Sequence, residues 1–144
     1  KESFSEAIEA YDEALRVNPA HVDSLTSLGW IYTQLKRYSE ALDIYRKVIG
    51  IKPDFALTHY NLGIALKDKG EFEEAIAHYR LAIKFKPDFA LAHNNLGNIF
   101  LAMRKTKEAI VHYNLAIKIN PELTLAYSNL KTALALSNET KNRS

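Results

Sequence analysis

The chain has 144 residues, 47% of them apolar and 25% charged, enough to bury the core of about one domain. With 19 basic against 17 acidic residues the net charge is +2, a balance that gives no general reason to expect nucleic acid or an anionic membrane as partner. Cysteine is absent, which excludes a disulfide framework and thiolate metal sites.

The first predicted element carries Phe4, Ala7, Ile8, Tyr11 and Ala14 at the three- and four-residue steps of an amphipathic helix, and Pro19 closes it. A second helix starts at Val22 with Leu25, Leu28, Gly29 and Tyr32 on its apolar side, and a third carries Tyr38, Ala41 and Tyr45 up to Pro53. Over 56–69, Leu57, Leu62, Ala65 and Leu66 predict a fourth helix, and Gly70 suits a left-handed cap after it. Over 71–85, Phe72, Ala75, Ile76, Tyr79, Ala82 and Ile83 predict a fifth, stopped by Pro87. The sixth carries His93, Leu96, Gly97 and Phe100, and the seventh Ala109 and Tyr113 before Pro121. The eighth starts at Thr124 and carries Leu130, and the polar tail from Asn138 to Ser144 is expected to fray. No apolar run approaches the ~20 residues of a membrane span. No leader opens the chain, which starts at Lys1 and reads as a piece of a longer protein. Its compartment stays open, cytoplasmic by default.

The elements repeat. Pro19, Pro53, Pro87 and Pro121 are the only prolines, each 34 residues from the next. The series Ala7, Ala41, Ala75, Ala109, the series Tyr11, Tyr45, Tyr79, Tyr113, and the series Leu28, Leu62, Leu96, Leu130 keep the same step, and Gly29, Gly63 and Gly97 follow their leucines directly. Each period is a helix A, a short turn and a helix B, the proline ending helix B and Asp54, Asp88 or Glu122 favouring the next N-terminus. The glycines and alanines are expected where helices A and B approach closely, and the tyrosines between neighbouring repeats. A single pair cannot bury both faces, so stability comes from stacking.

This pattern resembles the tetratricopeptide repeat, with its signature W-x2-L-G-x2-Y…A-x3-F…P. One copy reads His59, Leu62, Gly63, Leu66, Ala75, Tyr79, Pro87; the next reads His93, Leu96, Gly97, Phe100, Ala109, Tyr113, Pro121; the one before has Leu25, Leu28, Gly29, Tyr32, Ala41, Tyr45, Pro53. The departures are the absence of Trp at the first place and Thr106 where Phe4, Tyr38 and Phe72 stand. The expected organisation is a half repeat over 1–21 (helix B only), full repeats at 22–55, 56–89 and 90–123, a terminal capping helix A over 124–137 and a tail over 138–144. The expected fold is an all-α solenoid of stacked helix-turn-helix repeats, a right-handed superhelix.

The resemblance also implies a concave groove lined by helix A. Counted from Val22, Ala56, Ala90 and Thr124, the sixth places are Ser27, Asn61, Asn95 and Asn129; the fifth include Tyr60 and Asn94; the ninth include Trp30 and Asn98. An asparagine carries both donor and acceptor, and a row of them can pair with successive amides of an extended peptide. In this the chain is similar to the repeat array of O-linked N-acetylglucosamine transferases. The competing reading is that asparagine simply bonds to its own helix or to water. The carboxylate clamp that grips chaperone tails needs basic residues at the second, fifth and sixth places, and none stands there, so that partner class is not expected.

No catalytic residues, cofactor or metal are expected. His59 and His93, like His78 and His112, sit one repeat apart, about a helix-packing distance of 10 Å and too far to share an ion; no pair has the i, i+4 spacing of a helical metal site. Glu6, Glu40, Glu74 and Glu108 fall where a carboxylate meets a helix N-terminus. The expected function is a non-catalytic scaffold that binds a protein or peptide. The alternatives are the substrate-recruiting arm of a larger enzyme such as a glycosyltransferase, or a self-assembling module. At the ends, the apolar face of 4–14 is expected to be covered, with weak head-to-tail self-association as one candidate cover, and Lys131 at the glycine place would crowd an incoming helix B.

Overall fold

Proline, glycine and apolar spacing divide the chain into alternating helices, and these are what a computed structural model, describing residues 2–144, contains. The helices are α1 (Glu2–Val17), α2 (Val22–Gln34), α3 (Tyr38–Ile51), α4 (Ala56–Lys69), α5 (Phe72–Phe85), α6 (Ala90–Ala102), α7 (Thr106–Ile119) and α8 (Thr124–Arg143). Among the described residues there are eight helices and no strand, as expected. None of these helices is long and apolar enough to cross a membrane. Even-numbered helices are the A type and odd-numbered ones the B type.

The chain forms two compact units, Lys1–His78 and Tyr79–Ser144. In the first, α1 packs on α2, α2 on α3 and α3 on α4, and the A helices α2 and α4 also meet. In the second, α6 packs on α7 and α7 on α8, with α6 touching α8. The core of the first unit holds Leu28, Ala41, Tyr45, Val48, Leu62 and Leu66; that of the second holds Leu96, Ile99, Ala109, Tyr113, Ala116 and Ala126. Burying each large side chain among these contributes about 1.5–3 kcal/mol.

Two of the tyrosine rings pack on glycines of their own repeats. Tyr45 packs on Gly29 of its own repeat, where an added Cβ would come within 2.6 Å of its Cε1. Tyr113 packs on Gly97 in the same way, at 2.5 Å. The glycines thus open a seat in helix A for the ring of their own helix B. The Tyr79 hydroxyl reaches into the next repeat, where Asn95 Nδ2 donates to it at 3.4 Å.

Gly70 takes the left-handed cap foreseen for it, with φ of 92°. At the same place in the flanking repeats stand Lys36 and Arg104, with φ of 59° and 60°. Here the hairpin imposes the conformation on residues that have a Cβ, at a cost of order 1–3 kcal/mol each. The tail also differs: α8 continues to Arg143 rather than ending near 137. No Pro or Gly interrupts 138–143, and Lys141 and Arg143 complement the negative end of the helix dipole.

Candidate peptide-binding site

Each A helix places its sixth and ninth residues on one face. In the first unit Ser27 and Trp30 of α2 and Asn61 of α4 line one cleft of about 600 Å³ together with Phe4, Ala7 and Tyr11 of α1. Trp30 is 47% exposed and meets Phe4 edge-on, with ring centroids 6.2 Å apart. Asn61 is largely buried and Ser27 half-buried. Tyr60 is half-buried on α4.

In the second unit the asparagines are held by named partners. Tyr113 Oη donates to Asn98 Oδ1 at 2.7 Å, and Asn95 Nδ2 donates to Tyr79 Oη. Burial pushes the Tyr113 phenol up to about 12, so the hydroxyl stays protonated as a donor at neutral pH. Asn129 Nδ2 of α8 donates to Asn94 Oδ1 of α6 at 3.0 Å, which ties two consecutive A helices together. Asn95, Asn98 and Asn129 are half-buried. Their amides are therefore fixed in direction yet still reach the surface.

Asn94 stands apart from the groove expected for it. It is 0% exposed, and its Nδ2 is buried without a hydrogen-bond partner. Asn129, arriving from the next A helix, covers it. Asn94 acts from beneath, setting the direction of Asn129.

The histidines form pairs that equal-position comparison does not reveal. His59 Nδ1 lies 3.1 Å from His78 Nδ1, and His93 Nδ1 lies 3.2 Å from His112 Nδ1, each pair stacked with ring centroids 5.4 Å apart. Phe100 stacks on His112 as well. His59 Nε2 lies 2.8 Å from the Pro53 carbonyl and donates to it, so its Nδ1 is the acceptor of its pair. The spacing of 19 residues joins the fourth place of helix A to helix B of the same hairpin. Burial first, then its partner His93 and Arg80, lowers His112 to about 4. Burial lowers His93, and burial with His59 and Arg46 lowers His78 against an opposing pull from Glu74. Among the described residues no three His, Cys, Asp or Glu side chains come together as a metal site would require.

Three family models match: one described as a tetratricopeptide repeat over residues 1–54, one as a TPR repeat over 65–104, and one as a tetratricopeptide repeat over 90–123. No curated protein sequence matches the chain. Among solved structures, a crystal structure of MamA is 28% identical, covers 94% of this chain and 79% of its own, and superposes with a TM-score of 0.84. MamA 41-end from Desulfovibrio magneticus RS-1 is 22% identical, covering 84% and 68%, with a TM-score of 0.77. The first TPR of Spaghetti (RPAP3), bound to the HSP90 peptide SRMEEVD, is 24% identical, covering 81% and 93%, with a TM-score of 0.75.

Proposed function

Because the chain is an array of tetratricopeptide repeats, we propose that it is a non-catalytic scaffold holding an extended peptide or partner protein against its A helices. The observation that carries this reading is the fixed direction of the asparagine amides. Asn95 and Asn98 are set by core tyrosine hydroxyls and Asn129 by Asn94. An amide already held in place loses little entropy when it pairs with a peptide backbone. Asn61 stands at the same place of its repeat and lines the first unit's cleft beside Ser27 and Trp30.

Contacts of this kind read backbone rather than side chains, so the partner is an extended segment of mixed sequence. In the resemblance to O-linked N-acetylglucosamine transferases such a segment would be a substrate polypeptide delivered to a catalytic domain; here it stays part of the proposal. The peptide-bound Spaghetti structure supports peptide holding as a use of this fold. Its acidic ligand does not carry over, since the second, fifth and sixth places of the A helices here hold no Lys or Arg.

The test is a titration with extended peptides of mixed sequence, selected by display on the whole chain. Asn95→Ala with Asn129→Ala should weaken the selected peptides by on the order of 1–3 kcal/mol in total, with helix content unchanged. The peptide SRMEEVD should not bind. Unchanged affinity in the double variant would remove the asparagines from the site.

A further inference from the structure

The bonds that fix the groove amides also decide which end of each amide is left over. Asn95 and Asn129 use Nδ2, on Tyr79 Oη and on Asn94 Oδ1 respectively, and keep Oδ1 as an acceptor. Asn98 uses Oδ1, on the Tyr113 hydroxyl, and keeps Nδ2 as a donor. Among the described residues the side-chain atoms buried without a partner are Thr58 Oγ1 and Asn94 Nδ2, so the three remaining ends stand in reach of solvent. The second unit thus offers an acceptor at the sixth place of α6 and of α8, and a donor at the ninth place of α6. Leu91 lies one turn before Asn95 and Leu125 one turn before Asn129, on the same helix faces. Both leucines are open, at 41% and 52% exposure. Two rows therefore cross α6 and α8, one of leucine and one of amide acceptors. This face does not hinge on a chain end: α6 is followed by α7 and α8, and Leu91 and Asn95 still reach the surface.

We propose, resting on the reading that this groove holds a peptide, that its partner is a polyproline II segment with an apolar side chain and a free backbone N–H at every third position. The spacing carries this. α6 and α8 are joined through Asn129 and Asn94 at 3.0 Å, and packed helices lie about 8–10 Å apart. Three residues of polyproline II advance about 9 Å and complete one turn, so groups three residues apart point the same way. One N–H meets Asn95 Oδ1, the N–H three residues on meets Asn129 Oδ1, and a neighbouring carbonyl accepts from Asn98 Nδ2. A β-strand alternates direction at every residue, so its N–H groups at that spacing face opposite sides. An α-helix has bonded its N–H groups to its own carbonyls, whereas polyproline II leaves both unbonded. Proline fits the segment except at the two positions facing the acceptors, since it has no N–H.

The probe is a peptide of four Leu-Pro-Pro units between terminal lysines, whose repeating part carries its N–H groups and its leucines at every third position. A second peptide has N-methylleucine in place of each leucine and lacks those N–H groups. Calorimetric titration of the whole chain should show the first binding about tenfold more tightly than the second, or better. Asn95→Ala with Asn129→Ala should erase that difference. Asn98→Ala should weaken both peptides by a similar factor, because both have the carbonyls. A peptide of six Leu-Pro units has the same conformation but the wrong spacing, and should bind like the N-methylated one. No binding of the Leu-Pro-Pro peptide, or binding equal to that of either control, overturns the inference. The peptide-holding reading falls separately, if display-selected peptides ignore the asparagines. Displacement of the Leu-Pro-Pro peptide as the chain is concentrated would give the face to a second copy and overturn the inference too.

Discussion

The ring of Tyr113 lies against the backbone of Gly97 so closely that a methyl group there would stand 2.5 Å from Cε1. Helix propensity alone says that Gly97→Ala should stabilise α6 by about 1 kcal/mol. The ring is fully buried and cannot move aside, so overpacking decides the sign. Gly97→Ala is expected to destabilise by about 1–3 kcal/mol, and Gly29→Ala likewise against Tyr45. Urea denaturation measures both. A stabilised variant would contradict the seat described for the tyrosine.

The histidine pairs make stability fall in acid. His78, His93 and His112 have folded-state pKa values below the ordinary 6.5, His112 at about 4. The native state therefore resists protonation that the unfolded chain accepts. Their contribution is complete above about 6.5 and is lost as the pH falls from there toward about 4. The urea midpoint should drop through that window, and His112→Gln should flatten the drop. A midpoint as steep in the variant as in the parent chain would assign the acid sensitivity elsewhere.

Tyr113→Phe keeps the ring on Gly97 but removes the donor to Asn98 Oδ1. The expected cost is about 0.5–1.5 kcal/mol of stability. Peptide affinity should fall as well, though less than in Asn98→Ala, because the amide remains but is no longer aimed. Equal affinities in Tyr113→Phe and the parent chain would separate the hydroxyl from binding.

Lys131→Gly should create the missing seat on α8 and let α1 of a second copy pack against Tyr127, Leu130 and Leu134. Light scattering should then show assembly growing with concentration, which the parent chain does not show to the same degree. A variant no more associated than its parent would mean that Lys131 does not control pairing at the α8 face.

Much of this was legible in the sequence because a 34-residue repeat states each structural need several times. Helix order, the Gly70 cap and the core alanines follow from spacing alone. Lys36 and Arg104 were not legible as left-handed residues, since the hairpin rather than local propensity sets their backbone. The pairing of His59 with His78 escaped because it spans two helices of a hairpin, and a search along one helix or between equal places does not join them. Asn94 was expected in the groove because the resemblance assigns the fifth place of helix A to the concave face; one residue of helical rotation separates Asn95 on that surface from Asn94 in the seam between consecutive A helices, where Asn129 donates to it. Of the expected site residues, Asn95, Asn98 and Asn129 gather in the second unit around partners that no single-sequence pattern specifies.

The most direct test of the central claim is to observe the asparagine amides themselves. In nuclear magnetic resonance spectra the side-chain amide signals of Asn95, Asn98 and Asn129 can be followed while a selected extended peptide is titrated into the whole chain. The account predicts that all three shift together with a common saturation, while the side-chain amide of Asn114, which lies exposed on α7, stays in place. Saturable binding that leaves the three groove signals unmoved would contradict it.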